Sequence, residues 1–198
     1  MLSDWVRRWT HGLRASLARA LGRLGISPNV LTALGYLFHL PAMYALAMGH
    51  LQLGGVLVAL ASLFDALDGA VAREMGQSST FGAFFDSVVD RYSEGTIFFG
   101  LLLWYARNGG LQETILIYAA MLGSLMVSYA RARAEGVGIQ CKAGLFTRFE
   151  RMVLIVIGLL ALQVRLLLWA LAIMTNLTAV QRVYLVWHAT HPGSGQAG

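Results

Sequence analysis

Apolar residues run through this chain in six long blocks, separated by short stretches rich in glycine, polar or charged residues. Ser27 is a good N-cap and Pro28 suits the first turn of a helix, so a first apolar helix is predicted from residue 28 to about residue 48. The later blocks predict helices over about 53–72, 81–107, 111–133, 149–164 and 166–187. Because about 20 apolar residues cross the hydrocarbon core of a bilayer, the pattern predicts an all-α, integral-membrane bundle of six transmembrane helices.

The first 25 residues follow a different pattern. Apolar side chains, Trp9 among them, recur at helical spacing, and arginines lie around the rest of the helix. Such an amphipathic, basic helix is typical of a segment that lies in the membrane interface, although a helix packed on a soluble domain has a similar pattern. The chain is therefore predicted to divide into an interfacial helix (1–25), a six-span domain (26–190) and a flexible tail (191–198).

Composition and charge support a membrane protein. Hydrophobic residues make up 57% of the chain and charged residues 13%, whereas a soluble domain needs more polar surface. With the N-terminus in the cytoplasm, all of the basic residues except Arg107 and Arg165 lie on the cytoplasmic side. This positive-inside bias predicts a multi-pass protein whose N-terminus is cytoplasmic. It also places the region around residues 65–90 near the cytoplasmic face.

Four of the five aspartates lie in that region. Asp65 and Asp68 are three residues apart, and Asp86 and Asp90 are four apart, so each pair projects from one face of a helix. Carboxylates are costly in a membrane, and four together need a counter-charge. An all-oxygen set without His or Cys suits Mg²⁺, Mn²⁺ or Ca²⁺ rather than zinc. A hard cation beside basic residues indicates phosphate chemistry.

Two non-catalytic roles would also account for the aspartates. They could pair with arginines and only hold helices together, as in a non-catalytic membrane scaffold. They could instead line the pathway of a cation carrier. The central parts of the first, fourth, fifth and sixth predicted helices carry no acidic residue, which disfavours transport.

Residues 65–90 read D-x₂-D-G-x₂-A-R-x₈-G-x₃-D-x₃-D, which resembles the signature of the CDP-alcohol phosphotransferases, a family of integral-membrane phospholipid synthases. The resemblance implies that an alcohol hydroxyl attacks the β-phosphorus of a CDP-linked lipid such as CDP-diacylglycerol and releases CMP. It implies that Asp65, Asp68 and Asp86 hold two Mg²⁺ or Mn²⁺ ions, and that Asp90 is a metal ligand and the general base. The CDP-lipid pocket is then expected to include Asn29, Thr32, Asp65, Asp68, Gly69, Ala72, Arg73 and Gly82.

Further basic residues gather near the ends of the fourth, fifth and sixth predicted helices. They could be an ordinary solvated, positive-inside cluster, but a basic pocket also suits a phosphorylated acceptor. The pattern resembles the prokaryotic phosphatidylinositol-phosphate synthase branch of the family. That resemblance implies transfer to inositol phosphate, giving phosphatidylinositol phosphate; transfer to glycerol 3-phosphate, as in phosphatidylglycerol-phosphate synthases, is the alternative. The residues expected to bind the acceptor phosphate are Arg131, Arg133, Arg151 and Arg182.

The remaining expectations concern partners and location. The lipid bilayer, the CDP-lipid donor and the phosphorylated alcohol are the expected partners, and no nucleic acid is expected. The family resemblance also implies a homodimer. The enzyme is expected in the plasma membrane, with its active site on the cytoplasmic side.

Overall fold

The computed structural model describes residues 27–74, 79–141 and 144–191, with the side chains of residues 66–74 excepted. Over these residues the protein is helical and contains no strand. The six helices are α1 (Pro28–Ala47), α2 (Leu51–Glu74), α3 (Thr80–Arg107), α4 (Leu111–Gly136), α5 (Arg148–Leu160) and α6 (Val164–Thr190). The all-α prediction and the six predicted helices are confirmed. The predicted interfacial helix and residues 192–198 of the predicted tail lie outside the described residues.

Local sequence signals explain most helix ends. Ser27 caps α1 by accepting a hydrogen bond from the Val30 N–H at 3.4 Å, and Pro28 occupies its first turn. Gly49 and Gly109 adopt positive φ angles of 80° and 75° in the turns after α1 and α3. Because glycine has no Cβ, it enters this conformation without the strain that other residues meet, and the chain can reverse there.

The fifth helix ends earlier than the sequence predicts. It stops at Leu160 instead of continuing to residue 164, and α6 already begins at Val164. The turn between them is formed by Ala161, Leu162 and Gln163, with Leu162 at a φ angle of 57°. Apolar Ala161 and Leu162 carry no turn signal, so the hydrophobic pattern alone extends the helix through them.

The chain divides into two compact units. The first comprises the described residues up to Trp104 together with Leu159–Leu162, and the second comprises Tyr105–Gly158 and the described residues from Gln163 onward. In the first unit α1 packs on α2, and α1 also approaches α3 closely at Gly100. A Cβ at Gly100 would lie 2.7 Å from the Met43 carbonyl oxygen, so only glycine permits this approach.

In the second unit α4 packs along α6. Asn176 on α6 donates a hydrogen bond to the Ala119 carbonyl of α4 at 3.0 Å, beside Gly123. Near the starts of the two helices, the Arg165 Nη2 atom lies 2.7 Å from Oε1 of the buried Glu113. Small residues at the contact and satisfied polar groups are typical of helix pairs inside membranes.

Within the described part of the chain, three helices are long and apolar enough to cross a membrane: Pro28–Ala47, Leu111–Gly136 and Val164–Thr190. In α2 the side chains are described only as far as Asp65, and the stretch Leu51–Asp65 is apolar. With 13 residues, α5 extends about 20 Å at 1.5 Å per residue, less than the roughly 30 Å of a hydrocarbon core. The membrane prediction is therefore supported by three helices, and the count of six spans stays a prediction.

Candidate active site

Three of the four motif aspartates have described side chains, and all three belong to the first unit. Asp65 lies on α2, whereas Asp86 and Asp90 lie one turn apart on α3; each is half-buried. Asp90 Oδ2 is 3.4 Å from Nη1 of its neighbour Arg91. Glu94, one turn beyond Asp90, is almost fully buried. The side chains of the remaining motif residues lie outside those described, namely Asp68, Gly69, Ala72 and Arg73.

Asp65 lies against Gly35 of α1, which is not among the predicted site residues. A Cβ at Gly35 would lie 2.6 Å from Asp65 Oδ1 and 3.8 Å from the Asp65 backbone nitrogen. Real Cβ atoms essentially never come within 3.0 Å of another heavy atom, so a side chain at residue 35 would displace the carboxylate. Gly35 therefore determines where the Asp65 carboxylate can lie.

The start of α1 packs close to the start of α3 at Asn29 and Gly82, two of the residues predicted to bind the CDP-lipid. A Cβ at Gly82 would lie 3.2 Å from Asn29 Oδ1. The Gly82 N–H donates to Ser79 Oγ at 2.9 Å, which caps the start of α3. Thr32, one turn after Asn29, is buried and donates to the Pro28 carbonyl at 3.1 Å. Asn29, Thr32 and Gly35 are spaced at i, i+3 and i+6, so they share one face of α1.

The donor set suits a hard divalent cation. Half-buried carboxylates offer only oxygen ligands, and Gly35 leaves room beside one of them. Among the side chains described, no three carboxylate, imidazole or thiol groups gather closely enough to hold a metal ion. A metal site built on this motif therefore depends on Asp68 as well.

Arg182 of α6 is a buried cation in the second unit, with only 4% of its surface exposed. Its Nη1 donates to the Val127 carbonyl of α4. Its Nε is buried and has no hydrogen-bond partner among the residues that the structure describes. A buried donor without an acceptor is costly, so this atom is suited to a ligand oxygen.

The other expected acceptor residues differ in burial. Arg151, in the first turn of α5, is 1% exposed, and its Nη1 donates to the Phe146 carbonyl at 3.5 Å. Arg131, near the end of α4, is exposed and its Nε donates to Glu135 Oε1 at 2.9 Å. Arg133 is exposed on the last turns of α4. The positive charges of Arg131 and Arg151 both interact electrostatically with Arg182. Three of the four arginines therefore lie close enough to influence one another.

A capping box fixes the start of α5 beside Arg151. Glu150 accepts hydrogen bonds from the backbone N–H of Thr147, at 2.9 Å, and from the Thr147 hydroxyl. The sequence T-R-F-E has the spacing of this motif. The cap therefore holds the first turn of α5, and with it the backbone of Arg151.

Comparison with known proteins identifies the class. The sequence model of the CDP-alcohol phosphatidyltransferases matches residues 25–183. The chain belongs to the CDP-alcohol phosphatidyltransferase family, so it is an enzyme of a membrane-embedded class, as the motif predicted.

Individual relatives are similar over most of their length. The chain is 40% identical to archaetidylinositol phosphate synthase of Pyrococcus horikoshii over 169 residues, 85% of this chain and 87% of that one. It is 37% identical to phosphatidylinositol phosphate synthase of Mycobacterium marinum over 193 residues, 90% of this chain and 80% of that one.

The fold is similar to solved structures of Mycobacterium tuberculosis phosphatidylinositol phosphate synthase. The structure with CDP-DAG bound has a TM-score of 0.84 at 34% identity, covering 93% of this chain and 98% of that one. The structure in complex with manganese and citrate has a TM-score of 0.82 at 34% identity, covering 93% of both chains. The predicted family, fold class and enzyme class are confirmed.

Proposed function

We propose that this protein transfers a phosphatidyl-type group from a CDP-linked lipid, such as CDP-diacylglycerol, to inositol phosphate, and releases CMP. The family match supports the reaction class, and two relatives are named as synthases of inositol phosphate lipids. The acceptor hydroxyl would attack the β-phosphorus, forming a new P–O bond. The anhydride bond to CMP would break, and the hydroxyl proton would pass to Asp90.

In this proposal the motif residues hold and orient the donor. Asp65, Asp68, Asp86 and Asp90 would bind two Mg²⁺ or Mn²⁺ ions, which neutralise charge on the pyrophosphate. Asn29, Thr32 and Gly82 lie together at the starts of α1 and α3, where the small Gly82 leaves space for the nucleotide. Gly69, Ala72 and Arg73 complete the proposed pocket.

One observation carries the choice of a phosphorylated acceptor: Arg151 and Arg182 are both almost fully buried, and Arg182 Nε has no hydrogen-bond partner among the residues that the structure describes. Buried like charges are strongly unfavourable unless an anion lies between them. Glu135 is the carboxylate that acts on Arg182, but it is exposed and already accepts a hydrogen bond from Arg131. A phosphate dianion would supply an acceptor oxygen to Arg182 Nε and offset its buried positive charge, whereas a neutral alcohol would offset none of that charge.

The test is CMP release by the purified protein in lipid nanodiscs with CDP-diacylglycerol and Mg²⁺ or Mn²⁺. Inositol phosphate, glycerol 3-phosphate and unphosphorylated inositol are supplied one at a time. We expect release with inositol phosphate and none after chelation of the metal. Release with glycerol 3-phosphate alone would mean that glycerol 3-phosphate, and not inositol phosphate, is the acceptor. Release with none of the three would overturn the proposed reaction.

A matched pair of arginine variants tests the acceptor site. Arg182→Ala is expected to raise the acceptor KM by about tenfold to a hundredfold, the effect of one or two lost charge-assisted hydrogen bonds. Arg107→Ala removes an exposed arginine at the end of α3 and should leave the acceptor KM unchanged. An equal effect of the two variants would argue against the assignment of Arg182.

Location and assembly complete the proposal. The distribution of basic residues supports a multi-pass protein of the plasma membrane with its N-terminus and active site in the cytoplasm. The family resemblance supports a homodimer. Residues 26–190 would form the catalytic domain.

A further inference from the structure

Residues 144–146 lie between α4 and α5. They contact Arg151, Arg182 and Gln181, the residue before Arg182. The Leu145 N–H donates to Gln181 Oε1 at 3.1 Å, next to Arg182 in sequence. The Phe146 carbonyl accepts from Arg151 Nη1 at 3.5 Å, and the Phe146 side chain is buried. The 144–146 segment is therefore held against α5 and α6 at the point where the arginines lie.

Gly144 lies against the guanidinium group of Arg182. A Cβ at residue 144 would be 2.9 Å from Arg182 Nη2, 3.3 Å from Nε and 3.5 Å from Cζ. Because Cζ is the most distant of the three atoms, this Cβ would stand at the Nε–Nη2 edge and not over the guanidinium face. Arginine binds phosphate bidentately through such an edge. Nε is also the atom that has no partner among the described residues.

The guanidinium has little freedom to avoid a side chain at this position. Its Nη1 is held by the Val127 carbonyl on the opposite helix, and the residue is buried. The 144–146 segment is itself tied to Gln181 and Arg151. A methyl group on residue 144 would therefore shift the guanidinium by a few tenths of an ångström and fill the space beside Nε.

We propose that Gly144 is a positioning residue for Arg182: its missing side chain keeps the Nε–Nη2 edge open to the phosphate of the acceptor. The inference rests on the proposed function, because it assumes that Arg182 binds the acceptor. The inference assigns a residue that affects acceptor specificity to the segment between α4 and α5, outside the aspartate motif. Residue 144 then contributes to the preference for a phosphorylated over a plain alcohol.

The test compares two glycine variants. Gly144→Ala is expected to raise the acceptor KM about tenfold, roughly the loss of one charge-assisted hydrogen bond, with the KM for CDP-diacylglycerol changed by less than about twofold. Gly136→Ala is the matched control, because a Cβ at Gly136 meets no atom within 4 Å. An unchanged acceptor KM in Gly144→Ala would overturn the inference, as would a parallel rise in both KM values.

A double variant separates this inference from the proposed function. If Gly144 acts through Arg182, Gly144→Ala should raise the acceptor KM no further in an Arg182→Ala background. A further tenfold rise there would show that Gly144 acts by another route and would overturn the inference. If Arg182→Ala alone leaves the acceptor KM unchanged, the acceptor site itself is wrongly assigned, which is a separate result.

A second variant keeps the proposal testable if Gly144→Ala does not fold. Gln181→Met preserves side-chain volume but removes the acceptor for the Leu145 N–H, so the 144–146 segment loses one anchor. We expect the acceptor KM to rise about threefold, a typical effect of one neutral hydrogen bond, with an unchanged donor KM. A donor KM that rises equally would contradict the proposed coupling of the segment to Arg182.

Discussion

Single glycines determine where charged side chains lie in this protein. Gly35 allows the Asp65 carboxylate to approach α1, and Gly144 allows the Arg182 guanidinium to approach the segment between α4 and α5. In each case a Cβ would fall within 3.0 Å of a charged atom. A charged group that binds a metal or a phosphate acts only over a narrow range of positions, so each glycine should affect the proposed function without contacting substrate.

The Gly35→Ala variant tests this idea at the proposed metal site. The added methyl group must displace Asp65 Oδ1, which we expect to lower turnover by about tenfold to a hundredfold. It should also raise the Mn²⁺ concentration needed for half-maximal activity. Titration of CMP release against Mn²⁺ measures both effects.

Gly95→Ala is the control for that experiment, since a Cβ at Gly95 on α3 meets no atom within 4 Å. It should leave the metal requirement unchanged. If Gly35→Ala and Gly95→Ala required the same Mn²⁺ concentration, the observed position of the Asp65 carboxylate would not matter for metal binding.

Asp90→Asn tests the proposed general base. The amide keeps the size of the side chain but cannot take a proton, so turnover should fall by about 10²–10⁴-fold. Binding of CDP-diacylglycerol, measured by calorimetry with the same variant, should change little. Near-native turnover would contradict the base assignment, and loss of donor binding would indicate a role in holding the donor instead.

The sequence predicts charged residues for the proposed site, but it does not single out the glycines that lie against them. The aspartates are recognisable because their spacing puts them on helix faces and their charge is unusual in an apolar chain. Gly35 and Gly144 become distinctive only through Asp65 and Arg182, which lie far along the chain from them. Membrane helices contain many glycines for plain packing, so the sequence alone offers no signal to separate these two.

At the scale of elements, α4 and α6 form a packed pair with an ion pair near their starts. Arg165 donates to Glu113 Oε1 from Nε at 2.8 Å, and its Nη2 lies 2.7 Å from the same oxygen. The Glu113 side chain is 8% exposed, whereas that of Arg165 is 70% exposed. The arginine therefore keeps much of its hydration while it neutralises a buried carboxylate.

Arg165→Met should destabilise this helix pair without affecting catalysis. It leaves the Glu113 carboxylate buried without its partner, which we expect to cost about 1 kcal/mol, a modest value because Arg165 itself is largely exposed. The thermal unfolding midpoint in detergent measures the effect. Arg165→Lys keeps a positive charge and should lose less stability.

Two outcomes would contradict that prediction. An unfolding midpoint equal to that of the unmodified protein would mean that the ion pair adds no stability. A change in the acceptor KM would mean that the pair influences the proposed acceptor site.

Helix positions could be predicted well where capping or turn-forming residues mark the ends, as at Ser27 and in the glycine-containing turn at Gly109. The end of α5 could not. The turn at Ala161 and Leu162 is made of apolar residues, and Leu162 takes up a backbone conformation that its side chain disfavours. Tertiary structure, and not local propensity, selects that turn.

At the scale of the whole molecule, charge and hydropathy together indicate an orientation in the membrane. Of the helices that the structure describes, three have the length and composition of membrane spans, and α4 is one of them. Only Arg107 and Arg165 among the basic residues lie on the side that the proposal places outside the cytoplasm. The two ends of α4 should therefore face opposite compartments.

Cysteine accessibility tests this orientation directly. The chain has one cysteine, Cys141, which is buried and can be replaced by Cys141→Ser to give a background without thiols. Asn108→Cys and Gln140→Cys then place one exposed thiol beyond each end of α4. In intact cells, a membrane-impermeant maleimide should label Asn108→Cys, whereas Gln140→Cys should be labelled only after the membrane is opened.

The orientation matters for the proposed reaction because CMP and a phosphorylated alcohol are charged molecules that do not cross a bilayer unaided. Gln140 follows α4 on the same side as Arg131 and Arg133, so its compartment is also that of the expected acceptor residues on this helix. Labelling of Gln140→Cys in intact cells, with Asn108→Cys protected, would invert the topology. It would require the acceptor to reach the site from outside the cytoplasm, and the proposed location would then be wrong even if CMP release by the purified enzyme were confirmed.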